Sequence, residues 1–133
     1  MPPLRLLLVE DDAISRMSAE VSLRRQGHHV HTACNGQEAL DALCAGEFDC
    51  VLMDIQMGGM DGLTATRHIR SGQSGVLDPN IPIVALTAYA GAEDRQRFLA
   101  AGMDDYVAKP VQPQELRAVL AKISSRREEY PRQ

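Results

Sequence analysis

Five polar side chains in this sequence each close a short apolar run. Glu10 and Asp11 follow residues 4–9, Asp54 follows residues 48–53, Thr87 ends residues 83–87, and Lys109 follows residues 105–108. Short apolar runs bounded by polar residues read as buried strands. In a parallel sheet, the carboxyl ends of the strands share one edge, and that edge is where ligands bind. Carboxylates gathered there repel one another, and a hard cation neutralises such a cluster. Few ligands and an open loop suit Mg²⁺ (or Mn²⁺), which keeps several waters and shares its site with phosphate oxygens. A hydroxyl and an ammonium facing the cluster suit a phosphoryl group held opposite the metal. An aspartate can itself be the nucleophile and form an aspartyl-phosphate.

Helical patterns lie between these runs. Ile14, Met17 and Val21 share one helical face, and the pattern stops near Gly27. Residues 29–34 alternate weakly as a further strand, and Asn35-Gly36 is a turn. Ala39, Leu40 and Leu43 mark a short helix; Leu63, Thr66 and Ile69 mark another, beyond the flexible loop at residues 58–62. Residues 71–82 form a long polar connection. A helix with a thin apolar face covers residues 92–101, and Leu116, Val119, Leu120 and Ile123 give the last helix the cleanest pattern. Strand and helix alternate five times, which argues for an α/β fold: a single doubly wound domain with a five-stranded parallel sheet. Residues 1–124 are assigned to that domain and residues 125–133 to a charged tail or linker.

Composition narrows the functions. A chain of 133 residues with 44% apolar content is long enough to bury a core without a metal or disulfide staple. The net charge of −4 disfavours nucleic acid as a direct partner. No apolar run approaches the roughly 20 residues of a membrane helix, and no secretory signal is apparent, so a cytoplasmic domain without membrane contact is expected. Cys34, Cys44 and Cys50 lack metal or disulfide spacing and read as reduced, buried thiols. His28, His29 and His31 read as a solvated edge.

The chain resembles the receiver domains of bacterial two-component response regulators. The resemblance rests on Leu8-Val9-Glu10-Asp11-Asp12, Leu52-Met53-Asp54-Ile55-Gln56-Met57, Met60-Asp61-Gly62, Ala85-Leu86-Thr87-Ala88 and Tyr106-Val107-Ala108-Lys109-Pro110. It implies a flavodoxin-like fold and a set of roles. Asp54 would be the phosphoacceptor. Asp11, Asp54 and the backbone carbonyl of Gln56 would ligate the metal, with Glu10 acting mostly through water. Thr87 and Lys109 would bind phosphoryl oxygens, Tyr106 would be an aromatic switch, and the Lys109–Pro110 peptide would be cis. The implied partners are a phosphohistidine donor, either a histidine kinase or a phosphotransfer domain, and an output protein. That protein would be read by the surface of the fourth helix, fifth strand and fifth helix. No independent turnover enzyme is expected; the domain would catalyse its own phosphorylation and slow dephosphorylation. The parent chain is either a hybrid sensor histidine kinase, which the strand-end motifs most resemble, or a stand-alone response regulator. One departure is Gly58-Gly59, where the family usually has a proline after Met57.

Two other classes compete. A haloacid-dehalogenase-like aspartyl-phosphate hydrolase needs a second aspartate two residues after the nucleophile as general acid, and Gln56 stands there. A flavin binder of the same architecture needs a hydroxyl- and glycine-rich phosphate loop after the first strand, where Glu10-Asp11-Asp12 would repel the phosphate.

Overall fold

The computed structural model describes residues 2–129. Strands β1 (Arg5–Val9), β2 (His29–Ala33), β3 (Cys50–Asp54), β4 (Ile83–Thr87) and β5 (Asp105–Ala108) alternate with helices α1 (Ala13–Arg25), α2 (Gly36–Ala45), α3 (Gly62–Arg70), α4 (Ala92–Ala101) and α5 (Pro113–Glu129). All pairings are parallel, in the order β2-β1-β3-β4-β5. β3 is central, and every residue of β3 and β4 is buried. A strand covered on both faces has no polar side to show, which is why these segments are apolar throughout.

Alternate side chains of the sheet feed two cores. Leu7, Val9, Val51, Met53, Ile83 and Ala85 pack with Leu40, Leu43, Ile69 and Phe98, so α2, α3 and α4 cover one face. Leu6, Leu8, Leu52, Val84 and Leu86 pack with Leu23, Leu116, Leu120 and Ile123, so α1 and α5 cover the other. Side-chain caps start three helices: Asp12 accepts from the Ser15 N–H, Asn35 from Glu38 and Asp61 from Thr64, each at 2.8 Å. These bonds satisfy donors that a helix start leaves open.

Four features differ from expectation. The Ile14, Met17 and Val21 stripe is solvent-exposed (81%, 66% and 43%), because α1 docks through Ala19 and Leu23 instead. Cys34 and Cys44 are exposed, and only Cys50 is buried. His28 is buried, and its Nδ1 accepts the Leu4 N–H at 3.0 Å, whereas His29 and His31 are exposed. The last helix continues through Glu129, so residues 125–129 of the expected tail are helical; residues 130–133 lie outside the described residues.

The long connection is held by Arg70. Its Nε donates to the Gly102 carbonyl at 2.8 Å, and its Nη1 donates to Pro79 and Ile81 at 2.7 and 2.6 Å. Its Nη2 pairs with Asp104 at 2.9 Å, and the same carboxylate accepts the Ile83 N–H. Residues 79–81 are thereby tied to the α4–β5 turn.

Candidate functional site at the carboxyl ends of the strands

Asp54 is the last residue of β3, and Glu10 immediately follows β1. Both are buried, at 2% and 3% exposure, while Asp11 is exposed. The three residues offer carboxylate oxygens that lie within 4.8 Å of one another. Lys109, just past β5, reaches across to them: its Nζ is 2.9 Å from Asp54 Oδ1 and 3.3 Å from each Glu10 oxygen. One ammonium thus serves two carboxyl groups, with a third beside them. Burial, reinforced by a hydrogen bond to Asp54 and its charge, pushes the Glu10 carboxyl up to about 8, although Lys109 opposes the shift. Burial alone would lower Lys109, but its bonds to Asp54 and Glu10 and their charges outweigh that and raise it. The donor set is all oxygen and under-neutralised, which fits a hard divalent cation.

The loop from β3 to α3 is folded back onto this cluster. The Gln56 N–H lies 3.3 Å from Asp54 Oδ1, and the Gly58 N–H donates to Asp11 Oδ2 at 3.2 Å. A proline at position 58 would have no such donor. Gly59 has a φ of +75°, a conformation that glycine adopts freely. The Gly62 N–H donates to the Ile55 carbonyl at 3.1 Å, and a Cβ on Gly62 would fall onto the Asp54 carbonyl. A glycine is therefore required where α3 begins against the acidic strand end.

Thr87 ends β4 and is 2% exposed. Its hydroxyl accepts the Tyr89 N–H at 2.9 Å and donates to the Tyr89 carbonyl at 3.0 Å. Its own carbonyl accepts the Lys109 N–H at 2.7 Å. Thr87, Gln56, Met57, Asp61, Tyr89 and Arg97 share an open cavity of about 550 Å³ beside the cluster. Tyr106 is half-buried against the α4 side of the sheet, with the Arg95 guanidinium 5.3 Å from its ring centre. The Lys109–Pro110 peptide is cis.

Of the residues singled out in the sequence, Glu10 and Asp54 meet Lys109 directly, Asp11 brings a carboxylate oxygen within 4.8 Å of theirs, and Gln56 adjoins Asp54 in the loop that follows it. The Thr87 hydroxyl is bound to Tyr89, and Tyr106 stacks with Arg95. Sequence reasoning missed Arg16, whose Nη1 donates to the Glu10 carbonyl at 2.9 Å. The Met60-Asp61-Gly62 motif does not by itself explain its glycine; the reason is the close approach to Asp54.

The response regulator receiver domain model matches residues 6–121, and the chain belongs to that family. It is 40% identical over 118 residues to the sensor histidine kinase GacS of Pseudomonas protegens, covering 89% of this chain and 13% of that protein. It is 39% identical over 123 residues to the transcriptional regulatory protein AfsQ1 of Streptomyces coelicolor, covering 92% of this chain and 52% of that protein. The crystallised receiver domain of the sensor histidine kinase PA1611 from Pseudomonas aeruginosa, which has magnesium coordinated in its active-site cleft, superposes with a TM-score of 0.81. The two are 37% identical, and the match covers 92% of this chain and 99% of that one. The chain therefore spans between about one eighth and one half of these curated relatives, which include both kinases and regulators. It is a two-component signalling module, and the hydrolase alternative finds no support. Among the described residues, no helix is long and apolar enough to cross a membrane.

Proposed function

We propose that Asp54 accepts a phosphoryl group from a phosphohistidine on a partner protein, and that the resulting aspartyl-phosphate switches the surface formed by α4, β5 and α5. The observation that carries this reading is the Asp54 carboxylate, buried at a strand end with Lys109 at 2.9 Å and two further carboxylates beside it. In the transfer, an Asp54 oxygen forms a bond to phosphorus as the phosphorus–nitrogen bond of the donor imidazole breaks. Asp11, Asp54 and the Gln56 carbonyl would hold Mg²⁺ (or Mn²⁺), with Glu10 acting through water. When bound, that cation neutralises the carboxylates and the charge on the transferred group. Lys109 exchanges its bond to Asp54 for a phosphoryl oxygen. The Thr87 hydroxyl exchanges the Tyr89 carbonyl for another, and Tyr106 leaves Arg95 to fill the space that Thr87 vacates.

The donor docks on the exposed stripe of α1. Ile14 lines one cleft together with Glu10, Lys109, Pro110 and Pro113, so an apolar contact surface adjoins the two residues that flank the acceptor. Large exposed apolar side chains that border a site are a common mark of a partner surface. The same reading carries a cytoplasmic location for the domain, within a hybrid kinase or a response regulator. The test is phosphorylation by acetyl phosphate or a phosphohistidine donor, read by intact mass. Wild type gains one alkali-labile phosphoryl group and Asp54→Asn gains none; a labelled Asn variant would place the acceptor elsewhere.

A further inference from the structure

Arg16 stands early in α1, and its guanidinium turns back over the loop that carries Glu10 and Asp11. Its Nη1 donates to the Glu10 carbonyl at 2.9 Å and lies 3.5 Å from the Asp11 carbonyl. The rest of the loop is tied as well. The Glu10 N–H donates to the Ala33 carbonyl at 3.1 Å, and the Asp12 carbonyl and side chain receive Arg16 N–H and Ser15 N–H at 2.9 and 2.8 Å. Arg16 holds the two carbonyls between these anchors.

Two cations therefore serve the acidic cluster in opposite ways. Lys109 sits on carboxylate oxygens of Glu10 and Asp54, the same atoms that a divalent cation would engage. Arg16 sits on backbone carbonyls and leaves the carboxylates free. A metal can arrive without displacing it.

We infer that Arg16 is a positioning residue for the cation site: it fixes the Glu10–Asp11 backbone so that both carboxylates face Asp54, and thereby strengthens divalent-cation binding although it is itself a cation. This rests on the Mg²⁺ reading above. The sign of its effect separates positioning from charge. A nearby positive charge repels Mg²⁺, so its removal by charge alone tightens binding. Loss of a group that orients metal ligands weakens binding, commonly by about 10–100-fold. Arg16 is one of several ties on this loop, so the weakening expected is about 3–10-fold, below the range for a sole orienting group.

The experiment titrates Mg²⁺ into the full 133-residue chain and follows amide shifts near Asp54 in wild type, Asp11→Asn, Arg16→Met and Arg16→Lys. Thermal melts in chelator report the fold separately. Arg16→Met binds Mg²⁺ about 3–10-fold more weakly, with little change in the chelator melt. Because a single nitrogen makes both contacts, Arg16→Lys recovers most of the loss. Affinity in Arg16→Met equal to or tighter than wild type overturns the inference, as does a lysine variant no better than methionine. Should the methionine variant not fold, Arg16→Gln carries the same criterion. Wild type that binds no Mg²⁺, or Asp11→Asn that binds it normally, overturns the metal reading itself; normal behaviour of those two with an indifferent Arg16→Met overturns this inference alone.

Discussion

Gly62 and Asp54 touch through their backbones: the space where a Gly62 side chain would begin is occupied by the Asp54 carbonyl. Eight residues apart in sequence, they lie on either side of the loop that closes the site. The position of the buried carboxylate at the end of β3 is thus coupled to the start of α3.

Gly62→Ala forces that contact apart. Overfilling a packed position costs about 1–3 kcal/mol, so the urea midpoint falls. The second consequence is chemical. Misplacing a reacting group by about 1 Å can cost roughly 100-fold in rate, and acetyl phosphate labelling of Asp54 slows by at least tenfold, about 1.4 kcal/mol of barrier. Labelling at the wild-type rate in a folded alanine variant would show that the contact does not position the carboxylate.

Tyr89→Ala shortens the life of the phosphorylated state. Tyr89 is 57% exposed and lines the cavity beside Asp54 together with Gln56 and Thr87, so its ring restricts the approach of water. The contacts that Tyr89 makes to the Thr87 hydroxyl come from its main chain and survive the substitution. Loss of label is followed by mass spectrometry. Faster loss in the variant is expected, and an unchanged or slower rate removes the shielding role.

Stability falls on mild acidification through His28. Burial, and to a lesser degree the charge of His29, lower its pKa below the ordinary histidine value. Its Nδ1 accepts the Leu4 N–H, so the folded state holds the neutral ring. At pH 8, well above the ordinary histidine value of about 6.5, neither folded nor unfolded chain is protonated there and the contribution is complete. As pH drops from that value through the lower folded pKa, only the unfolded chain takes up the proton at first, and stability is lost. The denaturant midpoint measured from pH 8 to pH 5 should fall more steeply in wild type than in His28→Gln. Equal slopes would mean that the ring is not held neutral.

Arg70→Ala loosens the long connection without touching the chemistry. Its guanidinium serves three backbone carbonyls and the Asp104 carboxylate. Partly buried groups left without partners cost about 1–3 kcal/mol in total here, given the exposure of the ion pair. Urea unfolding reads this loss, while labelling at Asp54 in the folded variant proceeds at the wild-type rate. A coupled loss of labelling would extend the influence of this clamp to the site.

The sheet was legible because central parallel strands are buried on both faces and so read as unbroken apolar runs, as in residues 50–53 and 83–86. The site was legible for a related reason: Glu10, Asp54, Thr87 and Lys109 stand where those runs stop. α1 shows what periodicity cannot give. Ile14, Met17 and Val21 mark a helix correctly, yet the face that docks carries the smaller Ala19 with Leu23. A repeat reveals that a face exists, not what covers it. Arg16 and Arg70 left no signal because each acts through backbone carbonyls brought close by the fold. His28 was misread because a single buried ring beside two exposed ones makes no pattern along a strand.

The bond from the Lys109 N–H to the Thr87 carbonyl ties the two prospective phosphoryl ligands together. The hydroxyl and the ammonium hang from neighbouring strand ends joined by one peptide-to-peptide link, so the spacing of their backbone roots is set by the sheet. With those roots fixed, the reach to a common ligand is left to the side chains: one rotatable bond for the threonine hydroxyl and a four-carbon stem for the lysine ammonium.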